Sequence, residues 1–431
     1  MDKARRAAYI ALRDVESNKA YSNFAIQSAI RKYPTEQVAF VRELVYGTIR
    51  MQLYLDHVIG SFIRTPVDKL PVSDRILLRM GLYQLISLGS VPDYAAVSET
   101  VELAKHYSRG RDKFINGVLR GYIRDKGKAE LPPREEDVIR YLSLKYSFAP
   151  WIVKMWLEDF DNNEYVDRVL EASNRRPRLC IRANTLKIDP AGLKEALEKQ
   201  GFAIEADDDF EDIFFAEGEN LIATEIFRDG LFAVQDKASR VVVESLGAGP
   251  GETVVDVCAA PGGKTMAIAA SMKNRGRIIA IDIYERKLKL IEDEAARLGA
   301  FIVTVCCRDG RVADSELCGV ADRVLVDAPC SGLGVARRKP EVKYKEYDEA
   351  MAALPCKQLD ILKASAHYVK PGGILVYSTC TVARRENQDV IDAFLRENDG
   401  FNTVDTIQLL PTAEKTDGFF ICKMKRAGSP G

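Results

Sequence analysis

The sequence predicts three fold classes in series: an all-α bundle, then a small α+β unit, then a doubly wound α/β domain. Three observations carry this. Apolar residues recur at helical spacing through the first ~125 positions, as in Ala8, Ala11, Leu12 and Val15, and again in Ile115, Val118, Leu119 and Tyr122. From Leu179 the period shortens to that of strands. From about Gly251 strand-like and helix-like runs alternate, the pattern of a mostly parallel sheet covered on both faces. A chain of 431 residues is long enough for two or three domains at the usual ~150 residues each.

In the first segment, Thr65-Pro66, Leu70-Pro71 and Val91-Pro92-Asp93 separate the helices, since proline starts or ends them. Asp125 to Asp137, with Gly127, Pro132, Pro133 and five acidic residues, has no periodicity and reads as a linker. Helical patterns over 137–172 place Trp151 and Trp156 at core spacing, as packing anchors. The α+β unit follows, with β-like Leu179 to Arg182, a helix from Pro190 to Lys199, then β-like Phe202 to Ile204 and Ile213 to Phe215. The last segment offers strands at Thr253 to Val257, Arg277 to Ile281, Phe301 to Val305, Arg323 to Val326 and Gly373 to Tyr377. The expected domains are 1–128, 137–240 and 241–431.

Composition excludes several classes of function. At 47% hydrophobic and 29% charged residues the chain is an ordinary globular protein, without the roughly 20-residue apolar run that a bilayer span needs. The start is charged and leads into an amphipathic pattern, so neither a membrane nor a secretory reading is supported. Nine cysteines, all from Cys180 onward and none in a C-x-x-C pair, argue against disulfides and zinc ribbons and for a cytoplasmic protein. His57, His106 and His367 are in no metal-ligand spacing, so no metal is expected. The net charge of -1 hides an asymmetry. Residues 1–128 carry 21 Lys+Arg against 13 Asp+Glu, and the remainder 41 against 50. Lys105, Arg109, Arg111, Lys113, Arg120, Arg124, Lys126 and Lys128 crowd one stretch opposed only by Asp112 and Asp125. Such a stretch suits phosphate contacts and equally suits a solvated helix face.

Ligands of a doubly wound sheet bind outside the carboxyl ends of its strands. The first strand runs out into Cys258, Ala259, Ala260, Pro261, Gly262, Gly263 and Lys264 and then into a helix. Small residues there admit a ligand close to the backbone, and the helix start offers N–H groups to an anion. A P-loop needs glycine where this chain has Cys258, and a G-x-G-x-x-G fingerprint also fails, so neither ATP nor NAD is expected. Asp282, closing the second strand, suits a ribose diol, and Asp309, after the third, an adenine amino group. A ribose and a small charged group without pyrophosphate point to S-adenosylmethionine. Singly, each acid also reads as a helix N-cap.

The fourth and fifth strands end at Asp327-Ala328-Pro329-Cys330-Ser331 and Ser378-Thr379-Cys380-Thr381. Two cysteines thus fall where both can face one pocket, whereas the other seven read as small buried hydrophobes or, in Cys258, as part of the cofactor turn. A methyltransferase needs a thiolate when its target is a poor nucleophile such as C5 of a pyrimidine. Addition at C6 makes C5 an enamine carbon. Asp327, if protonated or sharing a proton with the base, would then hydrogen-bond the ring N3, and a second thiolate would assist release.

The runs DVCAAPGGKT, VDAPCSGLG and YSTCT together resemble the S-adenosylmethionine-dependent RNA cytosine-C5 methyltransferases of the Nop2/Sun class. The resemblance implies Cys380 as nucleophile, Cys330 as the residue of product release, and Asp327 at both cytosine and cofactor. It assigns 258–264, Asp282 and Asp309 to the cofactor. Arg182 to Lys187 and Val234 to Ser239 match upstream elements of the family. Arg337-Arg338-Lys339-Pro340 resembles its substrate-side loop, with lysine where histidine is usual. Phe40 to Gly47, Ala95 to Lys105 and Phe114 to Arg120 resemble the NusB antitermination fold, an RNA-binding helical domain. The implied architecture is a NusB-like bundle, a small RRM-like or ferredoxin-like domain and a Rossmann-like methyltransferase domain. A NusB-like domain ahead of this catalytic domain marks a bacterial branch that methylates cytosine 967 of 16S rRNA. The expected partner is therefore 16S rRNA, with no membrane and no obligate protein partner. The alternatives are tRNA or 23S rRNA as substrate, or a non-catalytic RNA-binding assembly factor.

Overall fold

The computed structural model describes residues 2–160, 162–218, 220–411 and 416–428. They form two compact units, Met1–Arg175 with Ala336–Lys345, and Arg176–Val335 with Glu346–Gly431.

The first unit is helical. Its helices are Lys3–Asn18, Ser22–Lys32, Val38–Arg50, Gln52–Phe62, Val72–Ser87, Asp93–Tyr107 and Asp112–Arg124, then Val138–Tyr146, Pro150–Asp159 and Asn163–Ala172. Pro71 and Pro92 stand immediately before helices, where a missing N–H costs nothing. Ala4, Ala7, Ala8 and Ala11 are fully buried on the first helix, and Leu44, Leu55, Leu77 and Leu119 fill the centre of the same core. The stretch expected as a linker has one 3-10 turn, Lys126–Ala129, and otherwise no regular structure up to the N-cap at Asp137. Trp156 is buried as an anchor against Phe148. All eight basic residues of 105–128 lie on the surface. No helix among the described residues is long and apolar enough to cross a membrane.

The second unit holds two sheets. In the smaller, β1 (Leu179–Ala183), β2 (Ala203–Ala206), β3 (Ile213–Glu217) and β4 (Phe232–Val234) run antiparallel in the order β2-β3-β1-β4, with the Pro190–Lys199 helix between β1 and β2. The larger contains β5 (Thr253–Val257), β6 (Arg277–Asp282), β7 (Val303–Cys307), β8 (Ala321–Asp327), β9 (Val369–Thr379), β10 (Phe401–Leu409) and β11 (Phe419–Arg426) in the order β10-β11-β9-β8-β5-β6-β7. Five strands are parallel, and β11 is antiparallel to both β9 and β10. Val254, Val255 and Val257 of β5 are buried on both faces, as a central parallel strand requires. The winding direction reverses between β5 and β8, which places the crevice for a ligand at their carboxyl ends.

The third expected strand begins two residues late, at Val303 rather than Phe301. The preceding helix, Glu285–Leu298, is capped by Gly299 with φ +73°, and Phe301 is 85% exposed, so the chain is still turning there. β4, β10 and β11 were not expected from the sequence.

Ala336–Lys345 falls between β8 and β9 in sequence but belongs to the helical unit. It is held there by Lys343, fully buried, whose Nζ donates to Arg50 O at 2.6 Å, Tyr146 O at 2.9 Å and Asn174 Oδ1 at 2.6 Å. Burial pulls the Lys343 pKa well below its ordinary value, while three acceptors about one nitrogen call for the protonated form. Lys343→Met is expected to destabilise the protein by about 3 kcal/mol, because it strands those acceptors. Urea unfolding followed by tryptophan fluorescence checks this.

Candidate active site

At the end of β5 the chain enters the turn 258–262 in two unusual conformations. Cys258 has φ +63° and Gly262 φ +102°. A side chain at Gly262 would be strained and would also meet Ile291 at 3.3 Å. The Gly263–Ser271 helix begins there, and its intrahelical bonding starts with Met266 N to Gly262 O at 2.9 Å. The first-turn N–H groups before it are available to an anionic ligand. Asp282, at the end of β6, accepts from Ala260 N at 3.3 Å and Tyr284 N at 3.1 Å, which ties the turn to the next strand. Cys258 is kept as a thiol, its pKa pushed up to about 12 by burial and by the Asp282, Asp327 and Asp256 carboxylates.

Asp309 follows β7, and Arg311 clamps its carboxylate through backbone and guanidinium, holding its pKa down to about 2. An adenine amino group would have to share that carboxylate with Arg311.

Asp256 lies beneath the turn, fully buried. Its Oδ2 accepts from Thr265 Oγ1 at 2.6 Å, and Oδ1 has no hydrogen-bond partner among the described residues. Burial raises its pKa to about 7. The unfolded carboxyl loses its proton near pH 4 and the folded one does not, so this group lowers stability as pH rises from about 4 to 7. Asp256→Asn is expected to gain on the wild type by on the order of a few kcal/mol across that window and to level off above it. Denaturant unfolding of both proteins at pH 4 to 8 measures the difference.

The chemistry converges at β8 and β9. Asp327 Oδ2 accepts from Lys264 Nζ at 2.7 Å and Oδ1 from Ser378 Oγ at 2.9 Å. Burial works against the Lys264 charge, but the Asp327 carboxylate more than offsets it, and the lysine pKa rises. Cys330 and Cys380 leave the ends of these adjacent strands with their sulfurs 3.3 Å apart. The hydrogen bond with Cys380, then burial, then the Cys380 and Glu386 charges hold the Cys330 pKa well above its ordinary value. Gly334 N donates to Cys380 O at 3.0 Å and Gly418 N to Gly334 O at 2.9 Å. A Cβ on Gly334 would stand 2.0 Å from Gly418 O, so only glycine lets these three loops touch.

Two upstream runs reach the same place. Buried Arg182 on β1 donates to Gln235 Oε1 at 2.6 Å, and Gln235 Nε2 donates to Gly263 O at 2.9 Å. Lys264 was expected only as part of the cofactor turn, and its ion pair with Asp327 is invisible in a linear pattern, since the residues are 63 positions apart. Glu386, buried behind the cysteines, was also missed. Among the described residues no His/Cys/Asp/Glu cluster could hold a metal ion.

A sheet wound in this order, opening at its reversal point onto a glycine turn with no triphosphate cradle, is that of the S-adenosylmethionine-dependent methyltransferases. The residues fit that cofactor, since helix-start N–H groups could take its carboxylate and Asp282 its ribose. Residues 243–425 match the family model described as 16S rRNA methyltransferase RsmB/F, residues 2–124 the NusB family, and 148–217 the ferredoxin-like domain of RsmF/B-like methyltransferases. A probable ribosomal RNA small subunit methyltransferase B of Bacillus subtilis is 37% identical, covering 98% of this chain and 99% of its own. One from Synechocystis is 33% identical, covering 99% and 100%. The crystal structure of PH0851 is 26% identical with a TM-score of 0.83 over 98% of each chain. The chain belongs to the ribosomal RNA small subunit methyltransferase B family.

Proposed function

We propose that this protein methylates C5 of one cytosine in 16S rRNA, at the position equivalent to 967, through a covalent bond between Cys380 and C6. The observation that carries this is the pair of thiols 3.3 Å apart beside the Lys264–Asp327 ion pair. Such a pair serves a target that must be activated by addition before it can accept a methyl group.

S-adenosylmethionine supplies the electrophilic methyl group when bound. Residues 258–264, Asp282, Asp309 and Asp327 would hold it. The Cys380 thiolate adds to C6, and the electron pair displaced from the C5–C6 bond makes C5 nucleophilic. Lys264 Nζ donates to the N3 side of the ring and balances the negative charge that develops there, while the Asp327 carboxylate accepts from the exocyclic amino group. After C5 has gained the methyl group, its proton must leave so that the Cys380–C6 bond can break. With Cys380 bound to carbon, its negative charge is gone, and so is a principal reason for Cys330 to keep its proton. Cys330 can then give that proton to solvent, take the one from C5, and so return Cys380 as thiolate. Attack from the face of the ring requires an unstacked cytosine. The exposed basic residues of 105–128 suit contacts to an RNA backbone.

The test is incubation with labelled S-adenosylmethionine and unmodified 16S rRNA, with tRNA and 23S rRNA in parallel, followed by mapping of 5-methylcytosine. Label at a single 16S cytosine is expected. Label confined to tRNA or 23S rRNA moves the substrate, and S-adenosylmethionine binding without transfer to any RNA contradicts catalysis.

A further inference from the structure

Behind the two cysteines lies a buried carboxylate that the mechanism above does not use. Glu386 ends the 3-10 turn Arg384–Glu386 just beyond Cys380 and has no exposure to solvent. Its Oε2 accepts from Ser331 N, the residue after Cys330, at 2.8 Å, and from Gln358 Nε2 at 3.1 Å. Gln358 Nε2 also donates to Pro329 O at 3.0 Å, so the pair grips the Cys330 turn on both sides of the cysteine. The grip extends to the other turn, where Ser331 Oγ donates to Thr381 Oγ1 at 2.9 Å and Tyr377 OH to Glu386 O at 2.7 Å. Glu386 Oε1 has no hydrogen-bond partner among the described residues. A buried carboxylate with an unused oxygen is expensive to keep, and a purely structural link would be served by glutamine at lower cost.

We propose, resting on the roles given to the two cysteines above, that Glu386 is a positioning residue whose charge keeps the proton on Cys330 and leaves the thiolate to Cys380. The two thiols are chemically alike and touch, so some asymmetry must decide which is the nucleophile. Among the described residues Cys330 has about it Cys380 just past β9 and Tyr377 on it, Glu386 from the 3-10 turn and the Gly332 N–H, which donates to it, while the helix Leu354–Ala366 contributes the neutral Gln358. A cation acts on the other member of the pair, where Lys264 interacts with Cys380. A negative charge behind Cys330 and a positive one beside Cys380 pull the shared proton the same way.

The test is the rate of iodoacetamide alkylation of each cysteine against pH, read by peptide mass spectrometry in the full-length protein. Glu386→Gln retains the shape and the bond to Ser331 N while removing the charge. It is expected to lower the Cys330 midpoint by about one pH unit, which is roughly tenfold faster alkylation at a fixed pH below it. Glu386→Asp keeps the charge and shortens the reach. It is expected to leave that midpoint with the wild type while kcat falls and KM holds. A Cys330 midpoint unmoved in Glu386→Gln, or moved equally by both variants, overturns the proposal. If only Glu386→Asp folds, a fall in its Cys330 midpoint overturns it. The cysteine that carries RNA in a trapped adduct is read separately. RNA on Cys380 with an unmoved Cys330 midpoint sinks this inference alone, and RNA on Cys330 sinks the reading beneath it.

Discussion

Cys380→Ala is expected to abolish methyl transfer, lowering turnover by more than about 10⁴-fold, because without a nucleophile C5 of cytosine has no electron pair to offer. No other described thiol is placed to replace it. Cys330 touches it but faces a buried carboxylate, and Cys258 is kept protonated by burial and by the charges of three carboxylates. Cys380 is partly exposed, so its truncation leaves little cavity and the fold should survive. Single-turnover transfer from labelled S-adenosylmethionine measures the loss, and cofactor binding by calorimetry, expected unchanged, shows that the site is intact.

Cys330→Ala is expected to have the opposite signature, a covalent protein–RNA adduct that survives denaturation and accumulates with one RNA per chain. In this variant the thiolate adds and the methyl group is accepted, but the thiol that stood 3.3 Å from Cys380 is no longer there to take the C5 proton. Turnover should fall by about 10² to 10³, the usual contribution of one proton-transfer group. Gel electrophoresis in denaturant with labelled RNA shows it directly. An adduct in Cys380→Ala but not in Cys330→Ala would reverse the two roles.

Much of this architecture was legible in the residues. β5 runs Thr253–Val257 as expected, because a central parallel strand is a short apolar block with turn residues at both ends. The pattern alone puts Cys330 and Cys380 at strand ends, and parallel neighbours β8 and β9 necessarily bring such ends together. β10 was harder. Its Asn402, Thr403, Asp405 and Thr406 face solvent at the sheet edge and lack the apolar signal of a strand. β4 is only three residues long. What the sequence could not disclose are pairings fixed by tertiary structure. Lys343 reads as one more surface lysine until Arg50, Tyr146 and Asn174 close around it. Glu386 reads as a helix-start acid in a run of charges until Ser331 and Gln358 are seen to bind it. Asp309 reads as open to adenine in the sequence, a role that its local clamp by Arg311 qualifies.

The measurement that bears most directly on Cys380 as nucleophile uses wild-type protein and 16S rRNA carrying 5-fluorocytidine in place of cytidine. Fluorine at C5 cannot leave as a proton does, so the enzyme should stall after methyl transfer with RNA still attached. Digestion and mass spectrometry then identify the linked peptide. Addition of the Cys380 thiolate to C6 requires that peptide to contain Cys380. A nucleotide found on the peptide containing Cys330, or methylated fluorocytidine released with no protein attached, would contradict it.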